Sequence, residues 1–150
     1  MNTYIGVKSI EAKEMTLGDY NTYRGWNIPE DEDPARQGYL VKYSDDYESW
    51  SPKEVFEAAY LKLTDPTKIT EDIVDNMIGE VETRKIDDKS TLVKSIAQTG
   101  FLTYEVSSCI DPKNYDEELG KTIGLKVIKN RIWGNLGFVL QWATNGLKGD

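Results

Sequence analysis

The chain has 150 residues, of which 39% are hydrophobic and 29% charged, and its formal net charge at pH 7 is −8. This length and apolar content allow one ordinary domain or two very small ones, and they argue against disorder over most of the chain. The acidic balance argues against binding to a nucleic acid polymer, because such binding requires Lys and Arg to neutralise phosphates.

Two more features of the composition exclude classes of chemistry. The sequence has no histidine, which removes Ser-His and Cys-His nucleophile pairs and imidazole metal sites. Its single cysteine, Cys109, excludes an intramolecular disulfide and fits a reducing compartment.

No run approaches the roughly 20 apolar residues that cross a bilayer, and the first residues form neither a basic leader nor an apolar signal core. We therefore expect a cytoplasmic protein with no membrane partner.

The first part of the chain predicts a strand, a helix and a loop. Residues 4–10 alternate between polar and apolar side chains as a strand does. Thr16 is placed to cap a short helix that Gly25 ends. Residues 30–34 are too highly charged to pack and predict an exposed loop.

Two further strands and a second helix follow. Strand patterns span residues 38–43 and 47–50, and Ser51-Pro52 then predicts a helix start, with serine as the cap and proline at the first helical position. The predicted apolar side of this helix consists of Val55, Phe56, Ala59, Tyr60 and Leu63. A break near residues 63–67 predicts a small α+β domain over residues 1–66 and a second domain over residues 67–150.

The second half predicts an antiparallel meander between two helices. Thr70 opens a short helix, and strand patterns follow at residues 80–86, 91–97 and 101–107, separated by polar turns. Asp111-Pro112 is predicted to start a long final helix.

Several apolar residues of that final helix share one face, and two glycines are expected to break or kink it. The predicted buried face consists of Leu119, Ile123, Leu125, Ile128, Ile132 and Leu136, and the glycines are Gly134 and Gly137. The predicted fold class is therefore α+β, with a small N-terminal antiparallel sheet and two short helices, then a three-stranded β-meander and a long helix.

Neither metal nor covalent chemistry is indicated by the polar residues. Glu71, Asp72 and Asp75 have the spacing of a solvated helix start and match no calcium loop. Cys109 lacks a histidine partner and reads as a small buried apolar side chain. We expect no catalytic residue, no metal and no cofactor.

Aromatic residues near arginine or glycine are the stronger functional signal. Aromatic faces stack on bases at about 1–3 kcal/mol each, and arginine forks bind phosphates. Core packing is the competing explanation for each of these residues. The candidate ligand-binding residues are Arg24, Trp26, Trp50, Phe101, Tyr104, Tyr115 and Arg131. Trp26, Phe101 and Tyr115 are expected to stack on bases, and Arg24 and Arg131 to bind phosphates.

The second half resembles a known family between about residues 76 and 142. The resemblance lies in Thr91-Leu92-Val93, Gly100-Phe101 and the run Cys109-Ile110-Asp111-Pro112 followed by Asn114-Tyr115-Asp116. These motifs are similar to small tailed-phage accessory proteins of the gene product forty-nine and gene sixty-six type. That family in turn resembles the first type of Thoeris anti-defence protein, a signal sponge. The resemblance implies a meander followed by a long helix, and a homo-oligomer that sequesters a cyclic nucleotide.

The first half is similar, over a shorter stretch, to the second type of Thoeris anti-defence protein. The similarity lies in Arg24-Gly25-Trp26 and Trp50-Ser51-Pro52, and it implies that the first tryptophan lines a nucleotide pocket. The first half also resembles the N-terminal part of longer phage members, and these typically carry a glycine- and asparagine-rich insertion before the Trp50 segment, where this chain has only Ser44-Asp45-Asp46. Any contact made by that loop is therefore missing here.

Two hypotheses follow for function. In the first, the protein is a phage anti-defence protein of the host cytoplasm that binds a small cyclic nucleotide, of the cyclic ADP-ribose type or a CBASS-type cyclic oligonucleotide, and does not cleave it. In the second, an acidic surface formed by residues 30–33 with Asp45, Asp46 and Glu48 inhibits a host protein. Enzymatic activity is the least supported of the possibilities, because no base and nucleophile are paired in the sequence.

Overall fold

The computed structural model describes residues 1–148 and contains two compact units. One unit comprises Met1–Lys62 together with residues 142–148, and the other comprises Leu63–Gln141. Each unit has one three-stranded antiparallel sheet, with the strands in chain order. The predicted α+β class is confirmed, including the meander and the long helix that follows it. None of the helices within residues 1–148 has the length and apolar character needed to span a membrane.

The first unit is built on a short sheet whose middle strand is largely buried. Its elements are β1 (Glu11–Glu14), α1 (Leu17–Arg24), β2 (Gly38–Lys42), β3 (Glu48–Pro52) and α2 (Lys53–Ala59). Leu40 and Val41 point to opposite faces of β2, and both are buried. On one face, the Phe56 ring of α2 stacks on Tyr39 at a centroid distance of 4.1 Å.

Helix α1 begins and ends where the sequence predicts. The Thr16 side chain accepts a hydrogen bond from the Asp19 amide at 3.1 Å, and Gly25 takes a left-handed conformation with φ of 72°. A left-handed residue directly after a helix is most easily supplied by glycine, which has no Cβ to clash. The exposed loop predicted at residues 30–34 is also confirmed.

The predicted strand at residues 4–10 is wrong. Those residues form no strand, and the first strand is Glu11–Glu14, whose four side chains are all exposed. It pairs with β2 from Glu11 opposite Lys42 to Glu14 opposite Tyr39. The Met15 amide continues this pairing with a hydrogen bond to the Gly38 carbonyl. The paired segment therefore extends almost to the start of α1. Backbone pairing decides the strand here, and the apolar pattern upstream has no partner strand.

The predicted start and apolar face of α2 are also wrong. Ser51 and Pro52 pair with Tyr39 and Gly38 as the end of β3, so the sheet uses the residues that were expected to cap the helix. Pro52 precedes α2, and no side chain caps it. Of the predicted apolar face only Phe56 is buried, and α2 ends at Ala59, before Tyr60 and Leu63.

The second unit places a helix across one face of the meander. Its elements are α3 (Glu71–Met77), β4 (Ile78–Lys85), β5 (Ser90–Ala97), β6 (Leu102–Ser108), a 3₁₀ turn (Pro112–Asn114) and α4 (Glu117–Asn145), whose last residues belong to the first unit. Its core consists of Val74, Val93, Ile128 and Ile132.

Three expectations for the long helix are corrected. Asp111 caps the 3₁₀ turn through a hydrogen bond from the Lys113 amide, and α4 itself starts only at Glu117. The helix runs through Gly134 and Gly137 without a break, because a glycine weakens a helix without removing its hydrogen bonds. Leu119 and Ile123, predicted to be buried, are 56% and 48% exposed.

The face of α4 that meets the sheet carries glycines at one end and isoleucines at the other. Its buried residues are Gly120, Gly124, Ile128 and Ile132, each four positions after the last. Glycine brings the helix backbone against Thr91 and Val93 of β5, where a larger side chain would overlap. The opposite face of the sheet stays open, with Leu102, Tyr104 and Val106 of β6 about half exposed.

Candidate functional site

Arg24, Trp26 and Tyr20 form a compact aromatic and cationic group, here called the Arg24 platform. The Arg24 guanidinium carbon lies 5.1 Å from the centre of the Trp26 ring and 6.0 Å from that of Tyr20. The two rings meet edge to face at a centroid distance of 5.9 Å. Cation–π contacts of this kind orient the guanidinium plane. The platform therefore presents a positioned cation beside an indole.

The turn at Gly25 creates this arrangement. The left-handed glycine reverses the chain, and the Trp26 amide bonds back to the Asn21 carbonyl at 2.8 Å. Tyr20 is buried, whereas Trp26 is 54% exposed. Beside the platform, Tyr23 donates a hydrogen bond to Glu48 at 2.9 Å, and this bond raises the pKa of the Tyr23 hydroxyl. The Tyr23–Glu48 bond ties the end of α1 to the start of β3.

The Arg24 platform is chemically suited to an anion with a flat ring. Among residues 1–148 the ion pairs involve other basic side chains, so no carboxylate neutralises Arg24. Its N–H groups are available to a phosphate, and the exposed indole can stack on a base.

Trp50, also a sequence candidate, is placed in the packing of the first sheet. Its Nε1 donates a hydrogen bond to the Met15 carbonyl at 2.8 Å. Its ring lies over Gly38, where a Cβ would overlap it, and the Arg36 guanidinium lies 5.8 Å from the ring centre. The indole is engaged at its polar atom and covered on its faces.

Two of the four candidates in the second unit are in contact with each other. Arg131 forms an ion pair with Glu105 at 2.6 Å and donates a hydrogen bond to the Tyr104 carbonyl at 3.1 Å. The Tyr104 side chain points to the open face of the sheet, since side chains alternate along β6 and Glu105 faces α4. The Arg131 guanidinium therefore already has a carboxylate, and the structure gives it a role at the edge of β6.

The remaining two candidates lie at opposite ends of β5. Tyr115 accepts a hydrogen bond from Thr91 at the start of the strand, and the Lys85 ammonium lies 4.4 Å from the centre of its ring. Phe101 follows the far end of β5 and is 67% exposed. At about 3.3 Å per residue, the two ends are roughly 20 Å apart. These aromatic residues do not share one pocket within a single chain.

A cavity that sequence reasoning missed lies beside the β2–β3 turn. It has a volume of about 270 Å³, and its lining includes Lys8, Ser9, Tyr43, Asp45 and Tyr47. We call it the hairpin cavity. A signal for it is present in the sequence, because Tyr43 and Tyr47 flank a short polar turn. Lys8 and Ser9 give no such signal, since they reach the turn only through the fold.

Several contacts fix the turn that borders the hairpin cavity. The Tyr43 amide bonds to the Tyr47 carbonyl at 2.9 Å, and the Tyr47 amide bonds to Asp45 Oδ1 at 3.1 Å. Asp46 takes a left-handed conformation with φ of 65°. Its carboxylate pairs with the Lys42 ammonium at 3.0 Å, and this hydrogen bond raises the pKa of Lys42. The two tyrosine rings are 5.9 Å apart.

Acidic and sulfur side chains do not cluster as a metal would require. No group of three or more Cys, Asp or Glu residues within the described chain is arranged to hold a metal ion. Cys109 lies next to the 3₁₀ turn, with its thiol directed at the Asp111 carbonyl at 3.1 Å. That contact places the thiol in the local turn structure.

Comparison with known proteins identifies the second half of the chain. No curated protein and no solved structure matches the chain. A family model matches residues 66–144, which include the whole second sheet and nearly all of α4. Arg24, Trp26, Trp50 and the hairpin cavity lie outside this range. The resemblance seen in the sequence is therefore confirmed at the level of the family, and the chain belongs to the Phage protein (N4 Gp49/phage Sf6 gene 66) family.

Proposed function

We propose that this phage protein binds a cyclic nucleotide signal of host immunity and withholds it from host effectors without cleaving it. The ligand class is a cyclic ADP-ribose-type molecule or a cyclic oligonucleotide. Such a ligand combines flat bases with phosphates that carry negative charge. The protein works by affinity alone, as a sponge.

The Arg24 platform is the observation that carries this proposal. It sets a guanidinium without a carboxylate partner 5.1 Å from a half-exposed indole. It does so in a chain whose residues 1–66 carry 13 acidic and 7 basic side chains. A cation left unpaired in an acidic surrounding has a favourable interaction available to it from an anionic ligand. The neighbouring indole adds selectivity for a ligand with a ring.

A sponge must bind at about nanomolar affinity, near −12 kcal/mol, because immune signals act at low concentration. Such affinity requires that water be excluded from the charged contacts. The Arg24 platform is open to solvent in one chain, so a second copy of the protein must cover it. We therefore propose a homo-oligomer in which the ligand is enclosed between subunits.

The test is recovery of an intact ligand. The protein is purified from phage-infected cells with active immune signalling and heat-denatured, and the released small molecules are analysed by mass spectrometry. The purified protein is then titrated with cyclic ADP-ribose isomers and with cyclic di- and trinucleotides while tryptophan fluorescence is followed. We expect one member of this panel to bind at a fixed ratio and to be released unchanged.

Substitutions locate the site. Arg24→Ala should weaken binding by roughly 10- to 100-fold, the effect of losing a hydrogen bond to a charged group. Arg84→Ala removes an exposed arginine of β4 and is the matched control, with unchanged affinity expected. Recovery of a chemically altered nucleotide after incubation would contradict the sponge proposal and indicate an enzyme. Equal affinity of Arg24→Ala and wild type for the ligand would show that the Arg24 platform is not part of the binding site.

The acidic loop supports a second candidate, inhibition of a host protein. Glu30, Asp31 and Asp33 are exposed, and the ion pairs found within residues 1–148 involve none of them. A basic surface on a host protein would complement this loop. Binding of that kind weakens steeply as salt is raised and needs no small ligand. Capture of a host protein at low salt, lost at about 0.5 M salt, with no response to the nucleotide panel, would favour this function.

A further inference from the structure

The hairpin cavity has the size and the lining of a site for one nucleotide unit. Its volume of about 270 Å³ is just below the range of about 300–1,000 Å³ typical of small-molecule pockets. A space of this size admits a single base with its sugar and phosphate, whereas a whole cyclic dinucleotide would extend beyond it. The ligand that fits this cavity is therefore a single nucleotide unit.

Two tyrosine rings supply a surface for a flat ring. Tyr43 is partly buried, and its hydroxyl interacts with Tyr60, whose pKa is raised by burial and by this contact. Tyr47 is 62% exposed, with its ring plane tilted by 31° from that of Tyr43. One ring is thus held by the protein, and the other has a face available for stacking.

Contacts within the turn fix the backbone of Tyr47. Asp46 takes a left-handed conformation, which aspartate tolerates better in turns than most residues other than glycine. The Lys42–Asp46 ion pair and the hydrogen bond from the Tyr47 amide to Asp45 also lie in this turn. The backbone that carries the Tyr47 ring is therefore ordered by the turn, which lowers the entropy lost on binding.

The polar groups of the cavity favour a ligand with one negative charge and with an amino group on its base. The ion pairs formed within residues 1–148 do not include Lys8, so its ammonium can bind one phosphate. Asp45 uses Oδ1 to accept the Tyr47 amide, which leaves Oδ2 to accept a hydrogen bond from an amino group. One cation in an acidic unit suits a phosphodiester with a single negative charge and disfavours a polyphosphate.

We propose that the hairpin cavity binds one amino-bearing base together with a singly charged phosphodiester, stacked on Tyr47 and paired with Lys8. This rests on the proposed function, since it assigns a binding site for one unit of the cyclic nucleotide. The site is distinct from the Arg24 platform in the residues that form it. It also identifies the base as one with an exocyclic amino group.

The probe for this site is 3′,5′-cyclic AMP, measured by isothermal titration calorimetry on the full chain. Cyclic IMP, in which an oxygen replaces the amino group, should bind at least about tenfold more weakly if Asp45 reads that group. ATP, with its additional charges, should also bind more weakly. Absence of cyclic AMP binding up to about 1 mM, or equal affinity for cyclic AMP and cyclic IMP, would overturn the proposal.

Variants separate this site from the platform. Tyr47→Ala and Lys8→Met should each weaken cyclic AMP binding by about tenfold or more, whereas Tyr47→Phe keeps the ring and should bind as wild type does. Tyr4→Ala removes a tyrosine that does not line the cavity and is the matched control. Circular dichroism of each variant confirms that it is folded.

The outcomes distinguish the two proposals. If wild type binds cyclic nucleotides and the Tyr47→Ala and Lys8→Met variants bind equally well, the cavity proposal is overturned and the proposed function stands. If these variants lose binding while Arg24→Ala keeps it, the cavity is the site and the platform is not. If wild type binds no cyclic nucleotide of any kind, both proposals fail together.

Discussion

Gly124 lies where α4 crosses the middle strand of the second sheet, and the space beside it is already filled by Val93. A Cβ on Gly124 would come within 2.7 Å of Val93 Cγ2, closer than real side chains approach each other. Val93 is fully buried, so it has no room to withdraw. The separation of helix and sheet is therefore set by the absence of a side chain at this position.

This predicts opposite effects for two glycine substitutions in one helix. Gly124→Ala should lower the free energy of unfolding, because overpacking costs about 1–3 kcal/mol. Gly134 has no neighbour within 4 Å of a built Cβ, so Gly134→Ala should raise that energy by up to about 1 kcal/mol through helix propensity. Urea unfolding of both variants measures the difference. Equal stabilities would show that α4 does not pack this closely on β5.

The stability that Asp87 contributes to the β4–β5 turn depends on pH. Its Oδ1 accepts the Lys89 amide at 2.9 Å, and this hydrogen bond, followed by one from Ser90, holds the pKa of the Asp87 carboxyl below its usual range. A lowered folded-state pKa contributes stability that is complete above the unfolded value of about 3.9 and is lost as pH falls through the folded value.

Asp87→Ala should therefore destabilise the protein more at neutral pH than at about pH 3. Chemical unfolding of the variant and of wild type across this pH range tests the prediction. The matched control is Asp88→Ala, which alters the exposed neighbour in the same turn and should leave stability nearly unchanged. A destabilisation by Asp87→Ala that stays constant with pH would assign the effect to the shape of the turn.

At the scale of elements, the cap of α1 determines how firmly the Arg24 platform is held. Thr16→Ala removes the hydrogen bond to the Asp19 amide and should cost about 1 kcal/mol of stability. Thr16→Ser retains the hydroxyl and should be close to wild type. Tryptophan fluorescence during urea unfolding reports the change. A Thr16→Ala variant as stable as wild type would show that water satisfies the amide equally well.

The elements that the sequence predicts well are those specified by local signals. Thr16 and Gly25 carry the capping chemistry of α1 within the helix itself, and the meander has a polar turn at each reversal. The elements that it predicts badly depend on distant residues. The capping pattern at Ser51 is overridden by pairing with Tyr39, and nothing near Ser51 in the sequence indicates that pairing.

The buried face of α4 shows the same limit in a different form. Apolar periodicity selects Leu119 and Ile123, whereas the sheet accepts Gly120 and Gly124, because Thr91 and Val93 leave no space for a side chain. A hydrophobic pattern cannot identify a face that packs through glycine. The candidate sites follow the same rule. Arg24 and Trp26 are two residues apart and could be linked from the sequence, whereas Lys8 and Tyr47 are far apart and could not.

At the scale of the whole molecule, the family and the candidate sites belong to different parts of the chain. The family match covers residues 66–144, whereas the Arg24 platform and the hairpin cavity lie in the first unit. In the second unit, Arg131 is paired with Glu105, and Tyr115 is bonded to Thr91. Membership of the family therefore identifies a phage protein, and the residues that we propose to bind the ligand lie in the first unit.

The distribution of charge leads to a last prediction, that the protein does not bind nucleic acid polymers. Its net charge is −8, and seven ion pairs occupy seven different Lys or Arg side chains within residues 1–148. The 26 Asp and Glu side chains outnumber the 18 Lys and Arg side chains, so the protein repels a phosphate backbone. Displacement of counterions by Lys and Arg, which provides most of the affinity for polymers, is then weak. A gel-shift assay with single-stranded RNA and DNA should show no complex at about 10 µM protein, even at about 0.05 M salt. A complex that forms at low salt and dissolves as salt is raised would contradict this prediction, and a single enclosed nucleotide would then no longer be the expected ligand.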